Sequence, residues 1–433
     1  MSPTLLGIIG ILVLVATIFT RMPVAYVMTL VGFVGFAIQV NPEAALKLVS
    51  RDFYGVYSSY GLTIIPLFIF MGQIAFNAGI SHRLYESAHK MVGCYRGGLA
   101  TATVCACTAF GAVCGSSPAT AATMATVGLP EMKRYGYADE LATGSVAAGG
   151  SLGMLMPPSV VLIVYGILTE QSIGALFVAG IVPAVFITIC FAVAVWVYCL
   201  LAPKQGPACE IFSWRERLLS LVQALDILLV FLVVMLGLFI GWFTPTEAGG
   251  VGAAAVLLVA LGRRQLTWAG FVKSIYETLR TSCMVLLLVA GATIFGHFLA
   301  VTRITFDVAN WVAAMDMPRY AVVVMIVLVY LVGGCFIDAL ALIMLTIPIF
   351  YPIILDLGYD PIWFGIIIVL VTQMGVITPP VGINVYVVNG IATDVPLEKI
   401  FKGALPFLLA LIVGTGLIVV FPQIALWLPN LMY

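Results

Sequence analysis

Two tight, oxygen-bearing runs, Gly115-Ser116-Ser117-Pro118 and Phe336-Ile337-Asp338, interrupt long apolar stretches, and each is followed by a proline pair, Pro157-Pro158 or Pro379-Pro380. In Gly149-Gly150-Ser151-Leu152-Gly153-Met154-Leu155-Met156-Pro157-Pro158-Ser159 the prolines remove two amide donors and clash with the preceding turn, while the glycines permit irregular backbone. A helix must unwind there. The run from Thr372 to Asn384, containing Gly375, Thr378, Pro379 and Pro380, does the same. Carbonyl oxygens freed by unwinding suit a hard alkali cation such as Na⁺, and the hydroxyls of Ser116, Ser117 and Thr378 can complete its shell. A single proline kink also reads as plain helix packing. Two in register, each beside its own interrupted stretch, favour an ion site.

Half-helix N-termini at such interruptions aim positive dipole ends at the centre, where a carboxylate can be held without a buried Arg or Lys. The middle of these helices contains no basic residue, so dipoles, amides and hydroxyls are the expected binders of an acid. Asp338 is the carboxylate at an interruption. At membrane depth it either supports a cation or caps the helix that starts at Ala339, and the two roles can coexist. Asp226 and Glu247 lie near span ends and read as interfacial. The 17 methionines read as packing, with Met156 of interest through its carbonyl.

Positioning these residues requires a membrane. Of 433 residues 63% are hydrophobic and 9% charged, and the mean hydropathy is +1.16, which excludes a set of soluble domains. Nineteen basic and nineteen acidic side chains give zero formal charge, without the cationic excess that nucleic acid requires. Nine cysteines form no CxxC, and His82, His89 and His297 share no ligand spacing, which argues against a disulfide framework or a metalloenzyme. The opening run Leu5 to Phe19 lacks a basic flank and a cleavage site, so it is expected to be a retained span.

A bilayer core of about 30 Å takes roughly 20 helical residues. On that ruler the spans fall near 5–19, 23–40, 58–79, 138–168, 172–201, 225–243, 245–261, 281–301, 361–391 and 403–428. Two stretches, 97–130 and 319–356, break in the middle and read as re-entrant hairpins, because irregular backbone at that depth must be enclosed by protein. With the N-terminus outside, only Lys47, Arg51, Arg303 and Arg319 of the 19 basic residues fall outside. The rest, Arg21 and Arg280 among them, fall on the cytoplasmic side.

Shifting the chain by 222 positions aligns Pro130 with Pro352, Gly136 with Gly358, Tyr137 with Tyr359, Gly153 with Gly375 and Pro157-Pro158 with Pro379-Pro380. The same offset sets Ser116 opposite Asp338 and pairs the amphipathic stretches 41–57 and 264–280. Two units are expected, 1–217 with hairpin 97–130 and broken helix 138–168, and 218–433 with hairpin 319–356 and broken helix 361–391. Five crossings separate the hairpins, so the units have inverted topology. The fold class expected is an all-α polytopic membrane protein of transporter type.

Gly115-Ser116-Ser117-Pro118-Ala119-Thr120, Leu129-Pro130-Glu131-Met132-Lys133, Met156-Pro157-Pro158-Ser159 and Gly375-Val376-Ile377-Thr378-Pro379-Pro380-Val381-Gly382-Ile383-Asn384 resemble the large membrane subunit of the tripartite ATP-independent periplasmic (TRAP) transporters. The resemblance covers nearly the whole chain. It implies an elevator-type secondary transporter in the bacterial or archaeal inner membrane that imports organic acids with Na⁺ as the coupling ion. Its implied partners are a small four-helix membrane subunit, expected here as a separate chain, and a soluble extracytoplasmic substrate-binding protein. Carried over by position, the sodium sites are Ser116, Ser117, Gly153, Met156 and Pro158 in the first half and Gly334, Asp338, Gly375, Thr378 and Val381 in the second. Thr120, Ser159 and Asn384 are the expected substrate contacts. Pro118 departs from the small or branched apolar residue expected there and implies a stiffer first tip.

An ion channel lacks a pore motif here, and an intramembrane enzyme lacks His-Glu-x-x-His, paired aspartates or a Ser/His set. No enzymatic activity is expected. The serious alternative is a stand-alone Na⁺- or H⁺-coupled carboxylate carrier of related architecture.

Overall fold

A computed structural model describes residues 2–18, 20, 22–208, 212–314 and 317–432. Phe19 and Arg21, the end of the first expected span and one of the cytoplasmic-side charges, lie outside the described residues. The chain opens with α1 (Pro3–Ile18) and α2 (Val24–Gln39), followed by the amphipathic α3 (Pro42–Tyr57). Asn41 starts α3 by accepting a bond from the Ala44 amide, with Pro42 in the first turn where its missing amide is harmless. A 3₁₀ turn at Tyr60–Thr63 leads into α4 (Ile64–Asn77), and α5 (Ile80–Val92) follows. The first hairpin is α6 (Gly98–Cys114) and α7 (Ser117–Arg134); the first broken helix is α8 (Asp139–Ser151) and α9 (Val160–Thr169); α10 (Ile173–Leu201) closes the half.

The remainder of the chain follows on from this. It comprises α11 (Trp214–Ile240), α12 (Pro245–Gly262), α13 (Trp268–Thr302), α14 (Ile304–Ala314), the hairpin α15 (Arg319–Gly334) and α16 (Ala339–Asp356), the broken pair α17 (Pro361–Gly375) and α18 (Ile383–Ile391), then α19 (Leu397–Val420) and α20 (Gln423–Met432). Among the described residues seven helical segments are long and apolar enough to cross a bilayer. The molecule is a multi-pass, all-helical membrane protein.

Several boundaries differ from the sequence expectation. The amphipathic stretch 264–280 and the span after it form one helix, α13, of 35 residues. The first half separates α3 from α4 with Gly61 and Pro66, whereas 222 positions on stand Cys283 and Leu288, which do not break a helix. α5 and α14 are helices that the span count passed over. α11 starts at Trp214 rather than 225, on a capping box formed by Ser213 and Glu216. The final span is cut before Pro422 into α19 and α20.

Layering follows from burial. α6, α8, α9 and α17 are buried on nearly every side, as helices at the centre of a bundle must be. α11 instead exposes Leu218, Val222, Leu229, Leu232 and Leu236, the kind of face that lipid covers. Asp226 is held between α5 and α12 by Arg83 at 2.9 Å and Arg263 at 2.7 Å, while Glu247 is an exposed cap partner of Thr244. α8 and α19 meet backbone to backbone: a Cβ on Gly403 would stand 1.8 Å from the Glu140 carbonyl oxygen. Small residues permit that approach where apolar burial gives no drive for helix association. Gly403→Val is therefore expected to lower the thermal unfolding midpoint in detergent, at an overpacking cost of about 1–3 kcal/mol. Gly416→Val on the same helix, where a Cβ meets nothing within 4 Å, should leave the midpoint unchanged.

Candidate functional site

The first hairpin turns at Gly115, which has a left-handed φ of 64° and lies so close to Pro158 that a Cβ would stand 2.5 Å from its carbonyl oxygen. Ser116 is extended, and α7 begins at Ser117 with Pro118 in its first turn, a position where proline fits without strain. α8 stops at Ser151, gives one 3₁₀ turn at Leu152–Met154 and runs irregularly through a cis Pro157–Pro158 bond. Ser159 restarts the helix: its hydroxyl donates to the Met154 carbonyl and accepts from the Leu162 amide. The Val160 amide donates to the Gly115 carbonyl at 3.4 Å, tying the restarted helix to the hairpin tip. A Cβ on Gly153 would lie 2.9 Å from the Ser116 carbonyl oxygen. Ser116, Gly153 and Pro158 therefore converge, and the carbonyls of Met156 and Pro158 accept no bond among the described residues.

The second half builds a similar cradle. Asp338 accepts from the Leu340 amide at 3.1 Å and caps α16, so the capping role expected for it is present. Gly334 and Gly375 are in backbone contact, since a Cβ on Gly375 would lie 2.4 Å from the Gly334 carbonyl carbon. α17 ends at Gly375, and the chain is irregular through a cis Pro379–Pro380 bond until Gly382 starts α18. Here too the stretch beyond the prolines is bound to the tip, the Val381 amide donating to the Cys335 carbonyl at 3.2 Å. The Thr378 hydroxyl donates to the Met374 carbonyl at 2.6 Å, which leaves its oxygen free to face a cation.

Both tips border one cavity of about 530 Å³. Ser116 and Ser117 form one wall and Asp338 another, and the remaining polar side chains come from Gln73 on α4 and Glu277, Arg280 and Thr281 on α13. Of the residues on the broken helices, Gly153, Pro158, Gly375 and Val381 touch the tips, whereas Met156 borders a separate apolar cavity with Thr188 and Ile227. Thr120, Ser159 and Asn384 do not line the cavity and are fully buried. Thr120 donates to the Ser116 carbonyl, and Ser159 is the cap described above. Asn384 is a cross-tie between the halves: its Oδ1 accepts from the Ser117 hydroxyl at 2.9 Å and its Nδ2 donates to the Ala147 carbonyl at 2.9 Å.

Sequence reasoning missed Arg280, Glu277 and Gln73. The hairpins and broken helices contain no central basic residue, and the cavity they border has a guanidinium on its wall. Reading 264–280 as a separate arm puts Arg280 in a cytoplasmic loop. The continuity of α13 carries it to the cavity, and the missing Gly and Pro at 283 and 288 were the available signal.

The tips, unwound stretches and shared cavity within an all-helical bundle define a transporter-type membrane protein. The chain belongs to the family described as "Tripartite ATP-independent periplasmic transporter, DctM component", which it matches over residues 11–424. It is 36% identical over 391 residues to the C4-dicarboxylate TRAP transporter large permease protein DctM of Pseudomonas aeruginosa, covering 90% of this chain and 91% of that one. It is 32% identical to the sialic acid TRAP transporter large permease protein SiaM of Vibrio cholerae, covering 96% of each. The isethionate TRAP transporter permease protein DctMQ of Oleidesulfovibrio alaskensis is 34% identical over 86% of this chain and 58% of that protein. Among solved structures the fold is similar to the Alcanivorax borkumensis YdaH transporter, with a TM-score of 0.65, 15% identity and coverage of 98% of this chain and 100% of that one. The chain is a transport component, not an enzyme.

Ser117→Ala leaves the buried Asn384 oxygen without its donor, at a cost of about 1–3 kcal/mol. The thermal unfolding midpoint should fall. Ser116→Ala, whose hydroxyl makes no bond among the described residues, should leave the midpoint in place; an equal fall in both variants would contradict the cross-tie.

Proposed function

We propose that this chain is the permease subunit of a sodium-coupled, binding-protein-dependent secondary transporter that imports a carboxylate or related organic acid across the bacterial or archaeal inner membrane. Relatives named for C4-dicarboxylates, sialic acid and isethionate support an organic-acid cargo. The observation that carries the reading is the convergence of two hairpin tips on one cavity, each tip bound to an unwound stretch. Na⁺ occupies the first cradle through Ser116, Ser117, Gly153, Met156 and Pro158, and the second through Gly334, Asp338, Gly375, Thr378 and Val381. Most of these act through backbone oxygen.

In this reading residues 1–217 and 218–433 are inverted repeats. The hairpins and broken helices move as a unit across the bilayer, and α1 to α4 and α11 to α13 remain as scaffold. Sodium orders the tips first, so the acid finds its binding groups only afterwards, a coupling between two sites. A small four-helix membrane subunit and a soluble extracytoplasmic binding protein complete the system.

Proteoliposomes containing the chain and both partners should accumulate acid under a Na⁺ gradient, but not under a K⁺ gradient or without the binding protein. Uptake driven by H⁺, or independent of the binding protein, would favour the stand-alone carrier instead. Ser116→Ala and Asp338→Asn should each raise the Na⁺ concentration for half-maximal uptake roughly tenfold, as loss of about 1.4 kcal/mol from an ion site requires. Asp338→Asn retains a capping oxygen, so its unfolding midpoint should stay near that of the parent. Unchanged sodium dependence in both variants would count against these ligands.

A further inference from the structure

Arg280 lines the cavity shared by the two hairpin tips, yet it makes no hydrogen bond or ion pair among the described residues. It stands one turn beyond Glu277 on α13, and Glu277 is equally without a described partner on the same wall. An Arg and a Glu at this spacing commonly pair with each other. Here each faces the cavity with its bonding capacity unspent. α13 also packs against α2 and α4 rather than belonging to a hairpin, so this pair is carried on the elements that the proposed cycle leaves as scaffold.

We propose that Arg280 and Glu277 form a docking pair for the transported molecule: the guanidinium holds the acid group, and the Glu277 carboxylate accepts a hydrogen bond from a donor elsewhere on the same molecule. The inference rests on the import reading above and names its substrate class. Cβ atoms one turn apart are separated by about 5–6 Å, so the acid group and the donor lie within a few bonds of each other. Arg presents a planar fork that matches a carboxylate or sulfonate. A dicarboxylate would bring its second charge to Glu277, where like charges repel. The class that fits is a hydroxylated acid with a single negative charge.

The charges also explain a need for cations. Among the described residues that line the cavity, Arg280 is the positive one, and Glu277 and Asp338 are negative. The wall is thus net negative and repels an organic anion. Sodium in the two cradles reverses the sign, and the Arg280 fork then receives the acid.

The test is phenylglyoxal labelling of Arg280 in the intact chain in nanodiscs, read by mass spectrometry, with isethionate, N-acetylneuraminate and succinate as probes. Isethionate and N-acetylneuraminate should protect Arg280 in Na⁺ but not in K⁺, and succinate should protect only in Glu277→Gln. The complete proteoliposome system, given the same probes, separates the two levels of the argument. Arg280→Gln should raise KM for a transported probe about tenfold or more while the Na⁺ requirement stays unchanged, and Arg280→Lys should raise it less. Protection without any sodium-driven uptake would overturn the import reading and leave the docking pair standing. Uptake with no protection and an unchanged KM in Arg280→Gln would overturn the docking pair and leave import standing. Succinate protecting the parent chain as well as isethionate would overturn the substrate class, and absence of both protection and uptake would overturn everything proposed for the cavity.

Discussion

A helix that stops inside a membrane exposes amides and carbonyls that lipid cannot satisfy, and everything distinctive in this molecule answers that constraint. The first unwound stretch is buried throughout and tied to its hairpin tip, whereas the second is tied to its tip but leaves Pro379 and Pro380 exposed. The amides just beyond the prolines are met by tip carbonyls, Val160 by Gly115 and Val381 by Cys335. Ser159 and Asp338 cap restarted helices, and Asn384 ties the two halves together. Oxygen atoms still without a donor, such as those of Met156 and Pro158, can be satisfied by a cation. In the proposed reading the same interruption that would destabilise an ordinary span supplies an ion-binding cradle.

Close packing follows from this requirement. Carbonyls reach across an interface only where backbones touch, which accounts for Gly115 against Pro158 and Gly375 against Gly334. It also accounts for the burial of α6, α8, α9 and α17, since an enclosed break must lie inside a ring of other helices. The outer helices can then be plain apolar cylinders. In the proposed cycle the inner set and its ions travel together, and the cavity between the tips and α13 is where the two bodies face each other.

The breaks were legible in the sequence because Gly and Pro act locally: Pro157-Pro158, Pro379-Pro380, Gly115 and Gly375 interrupt helices by their own stereochemistry, whatever surrounds them. Hairpin 319–356 and broken helix 361–391 coincide with helical boundaries in the structure for that reason. The family was legible too, since its motifs are these same residues. What local rules could not supply was the neighbour of each side chain. Ser159, Thr120 and Asn384 have the atoms to bind an acid, but tertiary packing gives those atoms protein partners and buries them. Arg280 has the chemistry of a loop charge on the inner side, and only the uninterrupted course of α13 brings it to the cavity. α5 and α14 were passed over because a search for spans of about 20 residues discounts shorter helices.

Equilibrium binding of radioactive sodium to the purified chain in nanodiscs tests the central claim most directly. The account predicts saturable binding that excess K⁺ does not displace, with one component lost in Gly153→Val and another in Gly375→Val, because a side chain at either glycine clashes with the tip and pushes it away from the unwound stretch. Absence of saturable sodium binding, or binding that survives both substitutions together, would contradict it.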